Sequence, residues 1–538
     1  MIIRSPYPDL DIPEVGLHEF LLGHLDPQDA ERPATVAAAG GSGYTYGELV
    51  ATVSAVATGL GARGVARGDV VAIFVPNIPE YPAVFHGVLA AGATVSPANA
   101  LYTPGELAHQ LRDSGARVLF SVPECLDRAR VAVTHDGVRV DEIVVLGECA
   151  GAGGLVRETP WGEFLGTVDY GAGAHPTVSP DDVAALPYSS GTTGLAKGVQ
   201  LTHRNLVANL LQAMPFGWSK PHTRHLAVIP MSHIYGAAAV MNRVLLQRGL
   251  IVTMRRFEFT AFLQAVAEHR IEHLSVVPPI MLALAHSSLV DSYDLSSLGV
   301  VASAAAPLDS NLARAVADRL HVTVLQGYGL TESSPSIIAI PVDRPDIDRG
   351  SLGVLMPNIE ARVVDPQTGE DVETGEPGEL WARGPNIMRG YLNNAEATAA
   401  TLDADGFLHT GDIVTVSDDG VFRVVDRLKE LIKYKGNQVA PAELEGVLLT
   451  HEGVVDAAVV GVPGPDGEEW PKAFVVPQQG YAPCVAGGLA EDVMAFVAER
   501  VAPFKKVREV EFVDRIPRSS AGKILRRELR ERESGTGA

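Results

Sequence analysis

Short apolar runs alternate with helical stretches through much of the chain. Residues 70–75 form a continuous apolar run of strand length, and residues 81–91 have the pattern of a helix. A continuous apolar run is typical of a strand that is covered on both faces. The same strand signal recurs at 118–122, 226–229, 251–254, 274–277, 300–303 and 322–325, with helices such as 260–269 and 311–320 between several of them. This alternation predicts parallel sheets covered by helices, with ligands bound beyond the carboxyl ends of the strands.

The pattern changes twice towards the C-terminus. Between about 350 and 425, short strands are separated by Gly, Asp and Pro, which predicts a β-rich subdomain. After residue 426 a new unit begins, with helices predicted at 441–450 and 491–501, strands near 457–462 and 473–476, and a basic helical tail. We therefore predict an α/β fold with two domains, a large one at 1–426 and a small α+β one at 427–538.

Composition excludes several classes of protein. The 538 residues are 46% hydrophobic and 20% charged, as expected for a globular enzyme, and no apolar stretch is long enough to span a membrane. The net charge of −22 argues against a nucleic-acid partner, which would require a basic face. Three widely spaced cysteines and the lack of a secretory signal predict a cytoplasmic location.

One segment, 188–198, has the composition of a loop that binds phosphate. Glycines let a backbone approach a ligand closely, and successive amides and hydroxyls can surround phosphate oxygens. It is not a Walker A loop, because Ala196 precedes its lysine and Gly198 follows it. A flexible linker is the other interpretation of such a composition, but the lysine and the strand before the loop favour phosphate binding. The predicted ligands are Ser189, Ser190, Gly191, Thr192, Thr193, Gly194 and Lys197.

Five further segments follow in a fixed order. They are Tyr-Gly-Leu-Thr-Glu at 328–332, Gly-Glu-Leu at 378–380, His-Thr-Gly-Asp at 409–412, the stretch 425–433, and Pro-Arg-Ser-Ser-Ala-Gly-Lys at 517–523. With the loop at 188–198, they resemble the motifs of the adenylate-forming superfamily, which includes acyl-CoA synthetases, luciferase and peptide-synthetase adenylation domains. The whole-chain pattern is most similar to the 4-coumarate–CoA ligases. The resemblance implies an AMP-forming acid–thiol ligase that uses ATP, Mg²⁺ and coenzyme A.

The resemblance also implies roles in nucleotide binding. Glu332 would hold the magnesium ion, Thr331 would contact the α-phosphate, and Tyr328 would stack on adenine. A carboxylate suits a hard cation that takes oxygen ligands. Asp412 would accept hydrogen bonds from the ribose hydroxyls. The remaining nucleotide-site positions are Gln326, Gly327 and Arg427.

Two C-terminal lysines would serve different half-reactions. By resemblance, Lys523 reaches into the site and neutralises charge as pyrophosphate leaves, whereas Lys433 acts in the second step. Lys435 and Gly436 would meet coenzyme A. Lys429 matches the hinge about which the small, mobile C-terminal domain rotates.

The acyl group would lie among residues from several loops. His233 and Tyr235 match positions beside the acyl chain and carboxylate, and the glycines at 327 and 329 are expected to leave room for a flat group. A cinnamate- or coumarate-like acid fits that expectation. The remaining acyl-site positions are Ser303, Ala304, Ala305, Gly329, Pro335, Ser336 and Gln438.

Several alternatives stay open from sequence. Ala304 and Ser232 alter the pocket shape, which leaves a medium-chain aliphatic acid as a substrate. Asn437 lies beside the expected coenzyme A contacts, so a separate carrier protein or another nucleophile is an alternative acceptor. A luciferase-like oxygenase would share the first half-reaction. A non-catalytic nucleotide-binding protein would not need the cationic residues that this chain keeps.

Overall fold

The computed structural model of the chain describes most of both predicted domains. Its described residues are 2–41, 43–148, 156–166, 176–189, 196–427, 430–434, 437–464, 469–481, 488–501, 503–519 and 522–533. Within these ranges, no helix is both long and apolar enough to cross a membrane. The α/β fold predicted from sequence is confirmed, with helix-covered sheets, a β-rich subdomain and a smaller α+β C-terminal unit.

Two nine-stranded sheets form the N-terminal part. The centre of each is parallel, as the continuous apolar runs predict, and both sheets add antiparallel strands at an edge. In spatial order the first sheet contains Tyr188–Ser189, Lys197–Thr202, Val183–Ala185, Thr94–Pro97, Val70–Phe74, Val118–Ser121, Glu142–Val145 and Arg157–Pro160, with Gly390–Tyr391 paired to Lys197–Thr202. The second sheet contains Val354–Leu355, Ser336–Ala339, Thr323–Gly329, Val300–Ser303, His273–Val276, Arg224–Ala227, Leu250–Thr253, Pro33–Ala37 and Gly43–Thr45.

Helices cover these sheets, and further helices belong to the C-terminal unit. Their starts follow local chemistry: Thr45 and Glu48 form a capping box at the N-terminus of one long helix, and Thr103 and Glu106 form another. The α-helices are Leu17–Leu22, Tyr46–Ala62, Tyr81–Ala90, Pro104–Ser114, Pro123–Val133, Trp161–Gly166, His203–Ala213, Arg243–Leu246, Phe259–Glu268, Pro278–His286, Ser310–Leu320, Ala395–Ala399, Pro441–Leu448, Leu489–Ala498 and Arg526–Glu533. Tyr235–Asn242 is a π-helix, and Met214–Phe216, Ser288–Ser292, Thr331–Ser333 and Pro503–Lys505 are 3₁₀ turns.

The β-rich subdomain is a five-stranded antiparallel sheet. It lies where the Gly- and Asp-punctuated sequence predicts it, and the N-terminal strand of the chain adds to its edge. Its strands in order are Ile3–Arg4, Glu360–Val364, Gly378–Arg383, Leu408–Val416 and Phe422–Arg427.

The C-terminal unit has its own small core. A hairpin of Ile432–Tyr434 and Asn437–Val439 precedes a three-stranded sheet of Val454–Pro463, Glu469–Pro477 and Glu509–Phe512. Arg526, at the start of the last helix, is buried and pairs with Glu430 at 2.7 Å and Glu445 at 2.8 Å. This buried ion pair fixes the last helix against the beginning of the unit.

A single asparagine connects the first sheet to the loop that leaves the strand Arg224–Ala227 of the second. Asn77, which follows the strand Val70–Phe74, donates hydrogen bonds to the carbonyls of Ala227 and Ile229 at 2.8 and 2.9 Å. Its side-chain oxygen accepts from the backbone N–H of Met231 at 2.8 Å. The segment that leads to His233 is thereby held in place from the neighbouring sheet.

Candidate active site

A cleft of about 470 Å³ opens beside the carboxyl ends of the central strands of the second sheet. Its walls come from both sheets, from the β-rich subdomain and from the C-terminal unit. Fifteen of the residues predicted from sequence line it: Ser189, Lys197, His233, Tyr235, Ala304, Ala305, Gly327, Tyr328, Gly329, Thr331, Glu332, Pro335, Ser336, Asp412 and Lys523. Side chains that are more than 300 residues apart in the chain therefore share one cavity.

One wall of the cleft is a tyrosine bonded to a buried aspartate. The Tyr328 hydroxyl donates to Oδ2 of Asp412 at 2.6 Å, and Asp412 is only 3% exposed. The backbone N–H of Asp412 donates to the hydroxyl of Thr410 at 3.1 Å. In the sheet register Asp412 lies opposite Arg427. An aromatic ring beside a fixed carboxylate acceptor can hold a base and the hydroxyl groups of its sugar.

A second wall joins Glu332 to a strand of the first sheet. Glu332 is buried, and its Oε1 accepts a hydrogen bond of 2.8 Å from the hydroxyl of Tyr391. Antiparallel pairing places Tyr391 opposite Val199, close to the end of the predicted phosphate loop. The Nζ of Lys197 lies 5.1 Å from the centroid of the Tyr391 ring. Burial and the Glu332 carboxylate raise the pKa of Tyr391, so the phenol stays protonated and continues to donate.

His233 presents one ring nitrogen to the cleft. Its Nδ1 accepts a hydrogen bond of 3.2 Å from the backbone N–H of Tyr235, so the neutral ring carries its proton on Nε2. Burial, and then the positive charge of Lys523, lowers the pKa of His233 to about 4. The side chain can therefore donate one hydrogen bond to a ligand oxygen at neutral pH without carrying charge.

Lys523 reaches this cleft from the C-terminal unit. The backbone N–H of Ser519 donates to the carbonyl of Lys523 at 2.8 Å, and the Lys523 N–H donates to the Ser519 hydroxyl at 3.2 Å. Gly522 has φ +78°, and a Cβ built there would lie 3.0 Å from Val277 of the N-terminal part. This close approach requires a glycine, and it brings the lysine against the N-terminal part of the cleft.

The part of the cleft around the π-helix is largely apolar. Tyr235 and Ala239 of that helix face it, together with Phe216, Trp218 and Ala304. The hydroxyl of Tyr235 lies 3.4 Å from the carbonyl oxygen of Ala302, and burial raises the pKa of Tyr235 to about 12. Such a pocket suits a flat or apolar acyl group.

Known proteins resemble this chain along nearly its full length. A family model described as AMP-binding enzyme matches residues 25–392, and one described as AMP-binding enzyme C-terminal domain matches residues 443–523. The chain belongs to the AMP-binding enzyme family. Residue 426, the predicted domain boundary, falls between the two matched regions.

Individual relatives are similarly extensive. The protein named 4-coumarate–CoA ligase-like 9 of Oryza sativa subsp. japonica is 41% identical, over 98% of this chain and 95% of its own length. The 4-coumarate–CoA ligase of Vanilla planifolia is 38% identical over 99% of this chain and 96% of its own. Among solved structures, the anthranilate CoA ligase AuaEII in complex with anthranoyl-AMP has a TM-score of 0.87 and 25% identity, covering 98% of each chain.

Several predicted positions of this AMP-binding enzyme fall where the structure gives no side-chain geometry. The loop residues Ser190, Gly191, Thr192, Thr193 and Gly194, and also Lys429, Lys435 and Gly436, lie outside the described residues. Arg427, Lys433 and Gln438 are described through their backbone strands only. Their roles stay predictions.

Two predicted residues lie behind the cleft. Gln326 is 1% exposed, and its amide is occupied: it accepts from the N–H of Leu308 at 2.8 Å and donates to the carbonyl of Ser351 at 2.6 Å. Ser303 is fully buried in its strand. Neither residue lines the cleft, and their predicted roles in ligand binding stay predictions. Gln326 instead fixes the loops on either side of its strand.

Packing within the protein explains why glycine occupies the two positions that were expected to leave room for the acyl group. A Cβ at Gly329 would lie 1.8 Å from the carbonyl oxygen of Pro335, which the backbone of Leu330 already contacts at 3.0 Å. A Cβ at Gly327 would lie 2.9 Å from the ring of Trp218. Both glycines are required by packing of the protein against itself. Both glycines also line the cleft, and their part in accommodating the acyl group stays a prediction.

Sequence reasoning also missed residues of the site. Tyr391 has no motif around it in the sequence, and only the pairing of its strand with Lys197–Thr202 brings it to Glu332. Trp218 and Arg243 are isolated along the chain and line the cleft only after folding. The motifs at 378–380 and 409–412 did signal Glu379 and Thr410, which line the cleft although they were not among the predicted ligands.

Proposed function

We propose that this AMP-binding enzyme is an ATP-dependent carboxylic acid–CoA ligase that acts on a cinnamate- or coumarate-like aryl acid. It would form an acyl adenylate and pyrophosphate, and then an acyl-CoA and AMP. The observation that carries the proposal is the convergence of Lys523, Glu332 and Asp412 on one cleft. The full-length likeness to proteins named 4-coumarate–CoA ligase supports the choice of acid and acceptor.

The nucleotide would lie along the wall that contains Tyr328 and Asp412. The Tyr328 ring offers a face for adenine, and the second oxygen of Asp412 can accept from the ribose. Thr331 would contact the α-phosphate. Lys197 lies at the end of the predicted phosphate loop, where an ATP phosphate would need a cation in a protein of net charge −22.

Glu332 fits a magnesium site of the kind that nucleotides complete. No group of three or more His, Cys, Asp or Glu side chains with metal-binding geometry occurs among the described residues. Magnesium bound with ATP commonly takes one or two carboxylates, the other ligands being phosphate oxygens and water. Glu332, held by Tyr391, would supply that carboxylate. The bound ion would neutralise phosphate charge during the first step.

In the first half-reaction, an oxygen of the substrate carboxylate attacks the α-phosphorus and the bond to pyrophosphate breaks. Two anions approach each other, so the barrier falls when cations and donors are already in place. Lys523 would supply a positive charge from the C-terminal unit, and the Nε2–H of His233 would orient the carboxylate or adenylate oxygen. Both groups line the same cleft, and this arrangement would suit adenylation.

In the second half-reaction, a thiol sulfur attacks the acyl carbon and AMP leaves. Lys433, Lys435 and Gly436 would act at this stage, after the domain 427–538 turns about Lys429 relative to 1–426. Domain rotation lets one cavity serve two reactions in sequence. We also infer a cytoplasmic site of action, because the reaction requires ATP and coenzyme A. Of the three cysteines, Cys125 lies in the described part and forms no disulfide.

The decisive experiment measures pyrophosphate release for a panel of aryl and aliphatic acids, with and without coenzyme A, and identifies the products by mass. An aryl-propenoyl-CoA formed only when coenzyme A is present supports the proposal. Acyl adenylate that accumulates with coenzyme A present would point to a carrier protein or another nucleophile as the acceptor. Preference for medium-chain aliphatic acids would replace the aryl substrate, and absence of pyrophosphate release with every acid would refute the ligase function.

A further inference from the structure

Arg243 is a buried arginine on the wall of the cleft. It is 5% exposed, and its Nε and Nη2 are buried without a hydrogen-bond partner. Across the described parts of the chain, no hydrogen bond or ion pair joins Arg243 to another residue. Its guanidinium carbon lies 5.5 Å from the centroid of the Trp218 ring, and its charge also acts on Tyr235, a phenol that burial keeps protonated.

Such an arginine is unfavourable unless something pairs with it. A guanidinium has five N–H donors, and burying unpaired donors and charge is costly. Burial lowers the pKa of Arg243 to about 10, which leaves the group charged at neutral pH. His225 and His273 lie nearby, and burial lowers the pKa of both, so both rings are neutral. A histidine is either neutral or positively charged, so neither ring can act as a counter-ion. The protein in its described parts supplies no counter-ion.

The position of Arg243 within the cleft is defined by one helical segment. Tyr235–Asn242 continues directly into Arg243–Leu246, and His233 lies just before this segment. The positive charge of Lys523 lowers the pKa of His233, and both residues line the cleft. His233 therefore lies at the end of the cavity where the acid would be activated. Arg243 lies eight positions after Tyr235, directly past the end of the π-helix, so it is displaced along the helix axis from the end that carries His233. Arg243 therefore lies at the end of this segment opposite to His233, beside Trp218.

We propose that Arg243 binds an oxygen acceptor, preferably an anionic one, at the end of the acyl group opposite to the carboxyl that is activated. This inference rests on the proposed ligase function and narrows its substrate class. A flat acid with a carboxylate or hydroxyl at its distal end would place apolar atoms beside Trp218 and Phe216 and an oxygen at the guanidinium. An acid that ends in a methyl or an unsubstituted ring would leave the arginine unpaired.

Three acids of one shape test this inference: cinnamate, 4-coumarate and 4-carboxycinnamate. Pyrophosphate release gives kcat/KM for each acid with the wild-type enzyme, Arg243→Met and Arg243→Lys. Arg255→Met is the control, because Arg255 is exposed and pairs with Glu124. Each result is expressed as the ratio of an oxygen-substituted acid to cinnamate in the same preparation, so a partly misfolded variant does not distort it.

We expect the wild type and Arg255→Met to prefer 4-carboxycinnamate and 4-coumarate to cinnamate. Arg243→Met should lower that preference by roughly tenfold or more, as for loss of a hydrogen bond to a charged group, and Arg243→Lys should retain part of it. An unchanged ratio in Arg243→Met, with cinnamate still activated, would overturn the role of Arg243 and leave the ligase function intact. Absence of adenylation with all three acids in the wild type would instead refute the aryl-acid substrate on which the inference rests.

Discussion

The hydroxyl of Tyr391 donates a 2.8 Å hydrogen bond to Oε1 of Glu332. The two residues are 59 positions apart, and the bond connects a strand of the first sheet to the turn that follows the strand Thr323–Gly329 of the second. It fixes one oxygen of the carboxylate and leaves the other for a cation. Glu332 is thus oriented by a residue that has no motif of its own.

Replacing Tyr391 with Phe removes this donor and keeps the ring beneath Lys197. Hydrogen bonds to charged groups contribute about 1.5–3 kcal/mol, so we expect the adenylation rate at limiting Mg²⁺ to fall about tenfold or more. The measurement is pyrophosphate release as a function of Mg²⁺ concentration at fixed ATP. Tyr481→Phe is the matched control, because it removes a similar bond to Asp492 in the C-terminal unit. Equal Mg²⁺ dependence in the wild type and Tyr391→Phe would contradict the orienting role.

Lys523→Ala should separate the two half-reactions. The lysine lies in the cleft beside His233, so its loss should reduce adenylate formation by two orders of magnitude or more, as for other groups that stabilise charge in a transition state. Thioester formation from supplied acyl adenylate should continue. Lys433→Ala should show the opposite behaviour, and the exposed Lys220→Ala should affect neither step. If Lys523→Ala and Lys433→Ala impair the same half-reaction, the two-conformation scheme is wrong.

Gly329→Ala should be strongly damaging. The added Cβ would meet the carbonyl of Pro335 at 1.8 Å, and backbone atoms cannot move aside without disturbing the Thr331 turn. Overpacking of this kind costs about 1–3 kcal/mol, measured as a lower midpoint of chemical unfolding. Activity should fall for small and large acids alike, because the clash is internal to the protein. Gly61→Ala, at a helical position with no atom within 4 Å, should leave stability unchanged or raise it.

His86 should make the protein less stable in mild acid. It is fully buried, and burial lowers its pKa to about 3 from an ordinary value of 6.5. Below pH 6.5 the unfolded chain binds a proton that the folded chain does not, so the free energy of unfolding falls as the pH drops. Between pH 7 and pH 5 this residue should account for about 2 kcal/mol. We expect His86→Gln to show a correspondingly shallower pH dependence of unfolding; an identical dependence would contradict the assignment.

Some features of the fold could be predicted because they depend on the local sequence alone. The run at 70–75 is apolar throughout, as a strand buried on both faces must be, and the observed strand is Val70–Phe74. The Gly- and Asp-rich turns between 350 and 425 likewise gave the β-rich subdomain. The motifs predicted that Lys523, Glu332 and Asp412 belong to one site, and all three line one cleft.

Other features depend on contacts that no local pattern encodes. Tyr391 reaches Glu332 only through sheet pairing, and Arg243, directly after the π-helix, lines the cleft only in the folded chain. A Cβ at Gly329 would clash with the carbonyl of Pro335, a packing requirement that the local sequence does not reveal. Gln326 sits beside cleft residues in the sequence, yet its side chain is buried and bonded to the backbone of Leu308 and Ser351. These properties belong to the tertiary packing.

The ion pair of Arg526 with Glu430 and Glu445 couples the end of the chain to its domain boundary. Arg526 follows Lys523 by three residues, and Glu430 is adjacent to the predicted hinge. A rotation at that boundary would therefore also move Lys523. The lysine would leave the cleft while the hydrogen bonds of its own loop to Ser519 stay intact.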